Sequence, residues 1–273
     1  MLAKPRLLAL DMDGTLLNSQ KRVSPRTLSA VRELADSGVV VALSTGRGLA
    51  EIADYSRELA FLTHASLDSG GLVYDLRARR QIHLSPIPRE ELVACLDAAA
   101  AQDAMVHLAT CALSVVQRGL IARCAEFNVG VYRPMFERNY TEVDDLRSYA
   151  LAHADEVVKV DIHHHDAAAR DRSRATLEAT TTLALADAEV GSLECTPRGV
   201  NKASGLRRLC ELLGVPMELA VAVGDDDNDL AVLRAAGMGV AMGNANERVR
   251  TACDLVVADC DHDGIVEVIE RLF

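Results

Sequence analysis

The sequence predicts an α/β protein: a doubly wound, Rossmann-like parallel-sheet core with an α+β cap domain inserted into it. Three observations carry this expectation. Short, wholly apolar runs (Leu7–Leu10, Val39–Leu43, Leu219–Val223) have the composition of parallel strands buried on both faces. Helix-length stretches with one apolar face separate them, in β-α-β-α alternation at both ends of the chain. Between these ends, from about His83 to Val190, the apolar residues alternate more and the polar ones are denser, as in a separate α+β insertion.

Leu7–Leu10 reads as the first strand and stops at Asp11. Ser24 is a natural helix N-cap with Pro25 at the first helical position; Leu28, Val31, Leu34 and Ala35 form the apolar face, and Gly38 ends the helix. Val39–Leu43 is a second strand, ending at Ser44-Thr45-Gly46-Arg47, and Leu49–Leu59 a second helix. In the insertion, strands are expected at Met105–Ala109, Leu113–Gln117 and Val157–Ile162, with helices at Arg89–Ala101 and Ala167–Ala179. The core grammar returns with a helix over Lys202–Leu213 closed by Gly214, a strand over Leu219–Val223, and a helix over Asp226–Ala236. Short strands at Val240–Met242 and Leu255–Val257 and a helix at Asp263–Leu272 complete it. The domains are therefore expected at 1–82 (core), 83–192 (cap) and 193–273 (core), hinged near Pro86/Pro88 and Cys195–Gly199.

Composition bounds the function. With 49% hydrophobic and 25% charged residues, 273 residues suffice for a substantial core; with no Trp and 3% aromatics, that core must be aliphatic. A net charge of −11 argues against a general nucleic-acid or anionic-membrane binder, which needs a basic face. The seven cysteines (Cys95, Cys111, Cys124, Cys195, Cys210, Cys253, Cys260) are odd in number and irregularly spaced, as expected of reduced thiols in a cytoplasmic protein. No signal-peptide apolar region precedes Asp11, and no apolar run reaches the length of a membrane span.

The chemistry is concentrated at strand ends. Asp11-Met12-Asp13-Gly14-Thr15 puts two carboxylates directly after a buried strand, where unpaired negative charge is disfavoured and a cation, donors or a proton is required. Ser44/Thr45 and Asp225/Asn228/Asp229 also follow apolar strands, and Lys202 opens a helix; ligands of open α/β sheets bind beyond such strand ends. An oxygen-only ligand set favours a hard cation, for which Mg²⁺ is the usual occupant, and flanking Thr and Lys donors suit a phosphate. A carboxylate nucleophile can then carry the phosphoryl group as an aspartyl-phosphate. A calcium loop over Asp225–Ala236 is disfavoured, since Leu230 and Ala236 occupy the places of its Gly and its Glu.

These residues resemble the four motifs of the haloacid dehalogenase superfamily, and within it the Cof-type subfamily with a large α/β cap. Asp11-Met12-Asp13-Gly14-Thr15-Leu16-Leu17 is similar to the first motif, Leu43-Ser44-Thr45-Gly46-Arg47 to the second, Gly199-Val200-Asn201-Lys202 to the third and Gly224-Asp225-Asp226-Asp227-Asn228-Asp229 to the fourth. The tail Gly239-Val240-Ala241-Met242-Gly243-Asn244-Ala245 also resembles the subfamily. The resemblance implies that Asp11 is the nucleophile and a metal ligand, and that Asp13 is the general acid/base with its carbonyl on the metal. It further implies that Thr45 bonds the phosphoryl oxygens, with Gly46 and Arg47 beside it, while Lys202 neutralises nucleophile and phosphate. Asp225 would ligate Mg²⁺, and Asn228 and Asp229 would complete the metal's surroundings. Ser44 competes with Thr45; the Thr-Gly-Arg triplet favours Thr45. One departure stands in Leu67-Asp68-Ser69-Gly70-Gly71, where Ser69 occupies the place of the family's Asn, which puts in question a side-chain contact from this loop to substrate.

The expected activity is Mg²⁺-dependent hydrolysis of small phosphorylated metabolites of sugar-phosphate type, the cap closing over the core to exclude water and select the leaving group. A phosphotransferase or phosphomutase with the same core, or a non-catalytic phospholigand-binding protein, are the alternatives. The sequence sets neither the individual substrate nor the oligomeric state. His163-His164-His165 do not easily chelate one ion from a strand whose residues alternate faces, so a metal site is the least favoured reading of them. They read foremost as a solvated strand end, with substrate contact by His163 and His165, on one face with Asp161, as the alternative.

Overall fold

The computed structural model describes residues 4–273. The chain begins with β1 (Leu7–Leu10), α1 (Pro25–Asp36), β2 (Val40–Ser44), α2 (Leu49–Ile52), β3 (His64–Leu67), β4 (Leu72–Asp75) and β5 (Arg80–Leu84). It continues through α3 (Arg89–Ala100), β6 (Met105–Thr110), β7 (Ser114–Gln117), α4 (Leu120–Arg123), α5 (Arg133–Asn139), β8 (Tyr140–Val143), α6 (Leu146–Ala152), β9 (Val157–His163), α7 (Ala167–Thr180), β10 (Ala184–Ala188) and β11 (Ser192–Thr196). It closes with α8 (Lys202–Leu213), β12 (Ala220–Gly224), α9 (Leu230–Ala235), β13 (Met238–Ala241), α10 (Glu247–Ala252), β14 (Leu255–Val256) and α11 (Gly264–Leu272).

Two compact units result, one formed by residues 4–46, 57–83 and 201–273, the other by 47–56 and 84–200. The first unit is built on an eight-stranded sheet of order β14-β13-β12-β1-β2-β3-β4-β5. Strands β14 to β3 run parallel, and β4 turns back antiparallel on β3. All four residues of β1 are buried, as a strand covered on both faces requires. One face packs Leu7, Ala9, Ala42, Ala220 and Ala222 against Leu206, Leu209 and Cys210 of α8 and Val232 and Leu233 of α9. The small alanines let the helices sit close to the sheet. On α1 the Ser24 side chain accepts from the Thr27 amide, the expected N-cap.

From β1 the chain moves to β2 on one side, and much later returns with β12 on the other. The strand order therefore reverses between β1 and β12, and in doubly wound sheets the ligand crevice lies at that switch point, beyond the carboxyl ends of the strands. Leu10 pairs with Leu43 and with Val223, so Asp11, Ser44-Thr45 and Gly224-Asp225 leave the sheet at the same edge.

The second unit has a six-stranded sheet of order β10-β11-β9-β6-β7-β8, antiparallel except for the β7/β8 pair. One face carries Val106, Leu108, Val160, Ile162, Leu193 and Cys195 against Leu92, Cys95 and Leu96 of α3 and Leu177 of α7. The other face carries His107, Lys159, Asp161 and His163, all buried.

Three expectations need correction. Residues 193–196 belong to β11, which pairs with β9 and β10; the segment 193–200 therefore lies in the second unit, not the core. The predicted helix Leu49–Leu59 is α-helical only to Ile52 and continues as a 3₁₀ turn over Ala53–Tyr55, and 47–56 group with the second unit. There Glu51 accepts a hydrogen bond from the hydroxyl of Tyr140, the first residue of β8, at 2.6 Å, and Asp54 pairs with Arg138 of α5 at 2.7 Å. The solvated strand end expected at His163-His164-His165 is instead buried at its first two residues. His163 Nδ1 meets the Ser192 hydroxyl at 2.7 Å, and His164 is held between the Gly191 carbonyl and the Ser173 hydroxyl. Only His165 is exposed.

Candidate active site

At the switch point, Asp11 follows β1 with its amide on the Val223 carbonyl at 3.0 Å. Asn201 caps α8, its side chain accepting from the Ser204 amide, and so aims Lys202 from the first helical turn. The Lys202 ammonium is almost wholly buried, 2% exposed, and all three of its hydrogens are used. It donates to Asp11 Oδ1 at 2.8 Å, Asp229 Oδ1 at 2.7 Å and Asn228 Oδ1 at 3.1 Å. Asp229 lies in the 3₁₀ turn after β12, and its second oxygen accepts from the amides of Asp225 and Asp226.

Asp225 is fixed through both oxygens. Thr15 Oγ1 donates to Oδ1 at 2.9 Å and Asn244 Nδ2 to Oδ2 at 3.0 Å. The same Asn244 amide group reaches the Gly14 carbonyl at 2.9 Å, and its oxygen accepts from the Cys260 amide. Gly14 explains itself here: its φ is +75°, and a Cβ on it would stand 2.2 Å from Asp225 Oδ2.

One oxygen each from Asp11, Asp225 and Asp229 lies within 4.8 Å of the others. Three carboxylates face one ammonium, leaving two negative charges uncompensated. The electrostatics reflect this excess. Burial pushes Asp11 up to about 7 despite Lys202, with Asp229 and Asp225 adding to the rise. Burial also lifts Asp225 to about 6, against the Thr15 hydrogen bond and with a further push from Asp229. Lys202 is held above its ordinary range: burial alone would lower it, but Asp11 and Asp229 outweigh that cost. A compact, all-oxygen donor set with two surplus negative charges fits a divalent hard cation.

The predicted residues thus divide. Asp11, Lys202, Asp225, Asn228 and Asp229 converge. The Asp13 carboxylate lies outside the trio and pairs with Lys21 at 2.7 Å, both groups being solvent-accessible. Thr45 is buried at the end of β2, its amide on the Ser66 carbonyl at 3.0 Å, and Gly46 follows it. Ser44 is buried on β2 one residue earlier. Arg47 groups with the second unit, where its guanidinium lies 5.5 Å from the Tyr55 ring centre. Thr15 and Asn244, which clamp Asp225, were not among the predicted site residues; their signal was their place inside the Asp-x-Asp-Gly-Thr and Gly-Asn-Ala stretches.

The second unit has a buried polar group of its own. Asp161 meets His107 Nδ1 at 3.0 Å and Lys159 Nζ at 3.1 Å. Burial pushes the Asp161 carboxyl up, but Lys159 and His107 outweigh it and hold it well below the usual carboxylate range. Burial lowers His163 to about 4, which keeps it neutral.

A family model for haloacid dehalogenase-like hydrolases matches residues 8–269. The chain belongs to this family. The haloacid dehalogenase-like hydrolase is of the Cof type, and its relatives align over nearly its full length. It is 28% identical to the 5-amino-6-(5-phospho-D-ribitylamino)uracil phosphatase YcsE of Bacillus subtilis, over 97% of this chain and 95% of that protein. It is 27% identical to the pyridoxal phosphate phosphatase YbhA of Escherichia coli, over 97% of each. A solved haloacid dehalogenase-like hydrolase from Bacteroides thetaiotaomicron superposes with a TM-score of 0.85 at 28% identity, covering 99% of this chain and 100% of that one. Among the described residues of this hydrolase, no helix is long and apolar enough to cross a membrane.

Proposed function

We propose that this hydrolase is a Mg²⁺-dependent phosphatase that cleaves small phosphorylated metabolites of sugar-phosphate type through an aspartyl-phosphate on Asp11. One observation carries the proposal: Lys202 bridges the buried Asp11 and Asp229, which with the half-buried Asp225 form a trio of carboxylates with a charge excess of two when all are ionised. Asp11, Asp225 and Asp229, with the Asp13 carbonyl, would hold the ion, which when bound offsets negative charge on the nucleophile and the phosphoryl oxygens.

In the first step an Asp11 carboxylate oxygen attacks phosphorus and the ester P–O bond breaks. Asp13, in its protonated form, gives its proton to the departing oxygen, so the leaving group departs as an alcohol. In the second step the Asp13 carboxylate takes a proton from water as that water attacks phosphorus. The acyl-phosphate P–O bond then breaks, releasing phosphate and restoring the Asp11 carboxylate. Lys202 holds Asp11 oriented by its hydrogen bond and neutralises charge gathering on the phosphoryl group. Thr45 donates to a phosphoryl oxygen.

The named substrates of the two relatives are a phosphoribityl-aminouracil and pyridoxal phosphate, and both belong in a test panel beside hexose and pentose phosphates. Phosphate release from such a panel is expected with Mg²⁺ and is expected to vanish with a chelator. Asp11→Asn should lower kcat by at least about 10³-fold, the scale seen when a nucleophile is lost. Full activity in that variant would overturn the assignment.

A further inference from the structure

The turn after β3 holds two features that the fold alone does not account for. Asp68, Ser69 and Gly70 all adopt left-handed backbone angles, with φ of 51°, 54° and 98°. Gly70 takes this conformation freely, but for serine it is unfavourable. The Ser69 hydroxyl is also buried without a hydrogen-bond partner, a second unfavourable term at the same residue. Glycine at position 69 would relieve both.

The position of this costly side chain is informative. The Ser69 amide donates to the Thr45 carbonyl at 3.1 Å, and the Thr45 amide donates to the Ser66 carbonyl at 3.0 Å, so the turn is stitched to Thr45-Gly46 from both sides. Ser69 Oγ stands 3.4 Å from where a Cβ on Gly46 would be. Gly46 carries no side chain, so no Cβ stands between its backbone and that buried hydroxyl. On its other side the turn is wedged against α8: a Cβ on Gly70 would fall 2.2 Å from the Asn201 carbonyl oxygen, one residue before Lys202. The Ser69 backbone is thus braced between the segment that carries Thr45 and the helix start that carries Lys202.

We propose that Ser69 is a phosphoryl-contact residue whose hydroxyl donates to an oxygen of the phosphoryl group at Thr45-Gly46. This rests on the phosphatase reading and adds to it a donor from a third segment. The hydroxyl then finds in the ligand the partner that the protein does not provide.

The test is calorimetric binding of orthovanadate and of inorganic phosphate, with Mg²⁺ present, to wild type, Ser69→Ala, Ser69→Gly and Ser69→Asn. A hydroxyl donor to an oxyanion predicts about 10- to 100-fold weaker binding of both anions in the Ala and Gly variants. Mg²⁺ affinity should be unchanged, and the melting temperature should rise slightly in Ala, which removes the unpartnered hydroxyl, and further in Gly, which also relieves the backbone. Asn, which tolerates the left-handed region and supplies a donor, should retain most of the affinity. Vanadate affinity within twofold of wild type in Ser69→Ala, or a loss that only parallels a lower melting temperature, would overturn the proposal. Wild-type protein that binds vanadate but releases phosphate from no monoester would sink the phosphatase reading and leave the Ser69 contact standing. Wild-type protein that binds neither anion overturns both.

Discussion

Mg²⁺ binding should depend steeply on pH, because the carboxylates that would hold the ion carry protons in mildly acid solution. Burial and mutual repulsion set Asp11 at about 7 and Asp225 at about 6. From these values both groups are ionised together in about one molecule in a thousand at pH 5 and in nearly all at pH 8. The apparent affinity should therefore rise about 1,000-fold across that interval, about 4 kcal/mol at roughly 1.4 kcal/mol per decade. Titration calorimetry of metal-free protein in two buffers of different ionisation heat counts the protons directly. About 1.4 should be released per ion at pH 6 and about 0.1 at pH 8. Stability moves the opposite way in the metal-free protein. Both folded values lie above the ordinary 3.8, so the native state holds more protons than the unfolded chain from about pH 4 to about pH 7. Its stability is full below that window and falls as pH rises through it, and saturating Mg²⁺ should remove the fall. An affinity that stays flat between pH 5 and pH 8, with no proton release at pH 6, would refute the assignment of these carboxylates as ligands.

Three further outcomes follow from contacts already described. Lys202→Met leaves Asp11 and Asp229 buried without their cation and should cost the metal-free protein about 3–5 kcal/mol in chemical denaturation, part of it regained on adding Mg²⁺. Asn244→Ala frees one oxygen of Asp225 and should weaken Mg²⁺ binding about 10- to 100-fold by calorimetry, with far-UV circular dichroism unchanged. His163, lowered by burial from 6.5 to about 4, should make folding less favourable as pH falls from about 6.5 towards 4, by about 3 kcal/mol in all. In that case His163→Gln would flatten the acid limb of a stability–pH curve, and an unchanged limb would show that the histidine accepts a proton in place.

The parts of the molecule that could be read in the sequence are those whose cause is local. A four-residue apolar run such as Leu7–Leu10 suits burial on both faces, and the Ser24-Pro25 start of α1 is a short-range cap. The convergence of Asp11 with the acidic cluster after β12 was legible for the same reason, because charge at the end of a buried strand requires compensation, whereas the Asp13 carboxylate finds its partner in Lys21 instead. Long-range pairing was not legible. Among the five acidic or amide residues of Asp225–Asp229, only the 3₁₀ turn after β12 determines that Asp229 shares the ammonium of Lys202 while Asp226 caps the turn. His163 and His164 find partners in Ser192, the first residue of β11, and in Gly191 of the turn before it, almost thirty residues away, which alternation within β9 cannot reveal.

Ser69 shows why local inference fails where function is concentrated. Nothing about a serine announces a left-handed backbone; turn preferences assign such a conformation to glycine or asparagine. The conformation is imposed by two constraints that meet only in the fold, the hydrogen bonds to Thr45 and the close approach of Gly70 to Asn201. A residue held against its own preference, with its hydroxyl buried and unanswered beside Gly46, contributes less to stability than glycine would. On the proposal above, a phosphoryl oxygen accepting from the hydroxyl would offset that cost. The same logic applies to the carboxylate trio, whose charge excess is unfavourable until a cation arrives. Site and turn are both places where the isolated protein is less stable than its sequence could make it, and in both the missing stabilisation matches the chemistry of a ligand: a divalent cation in one case, a phosphoryl oxygen in the other.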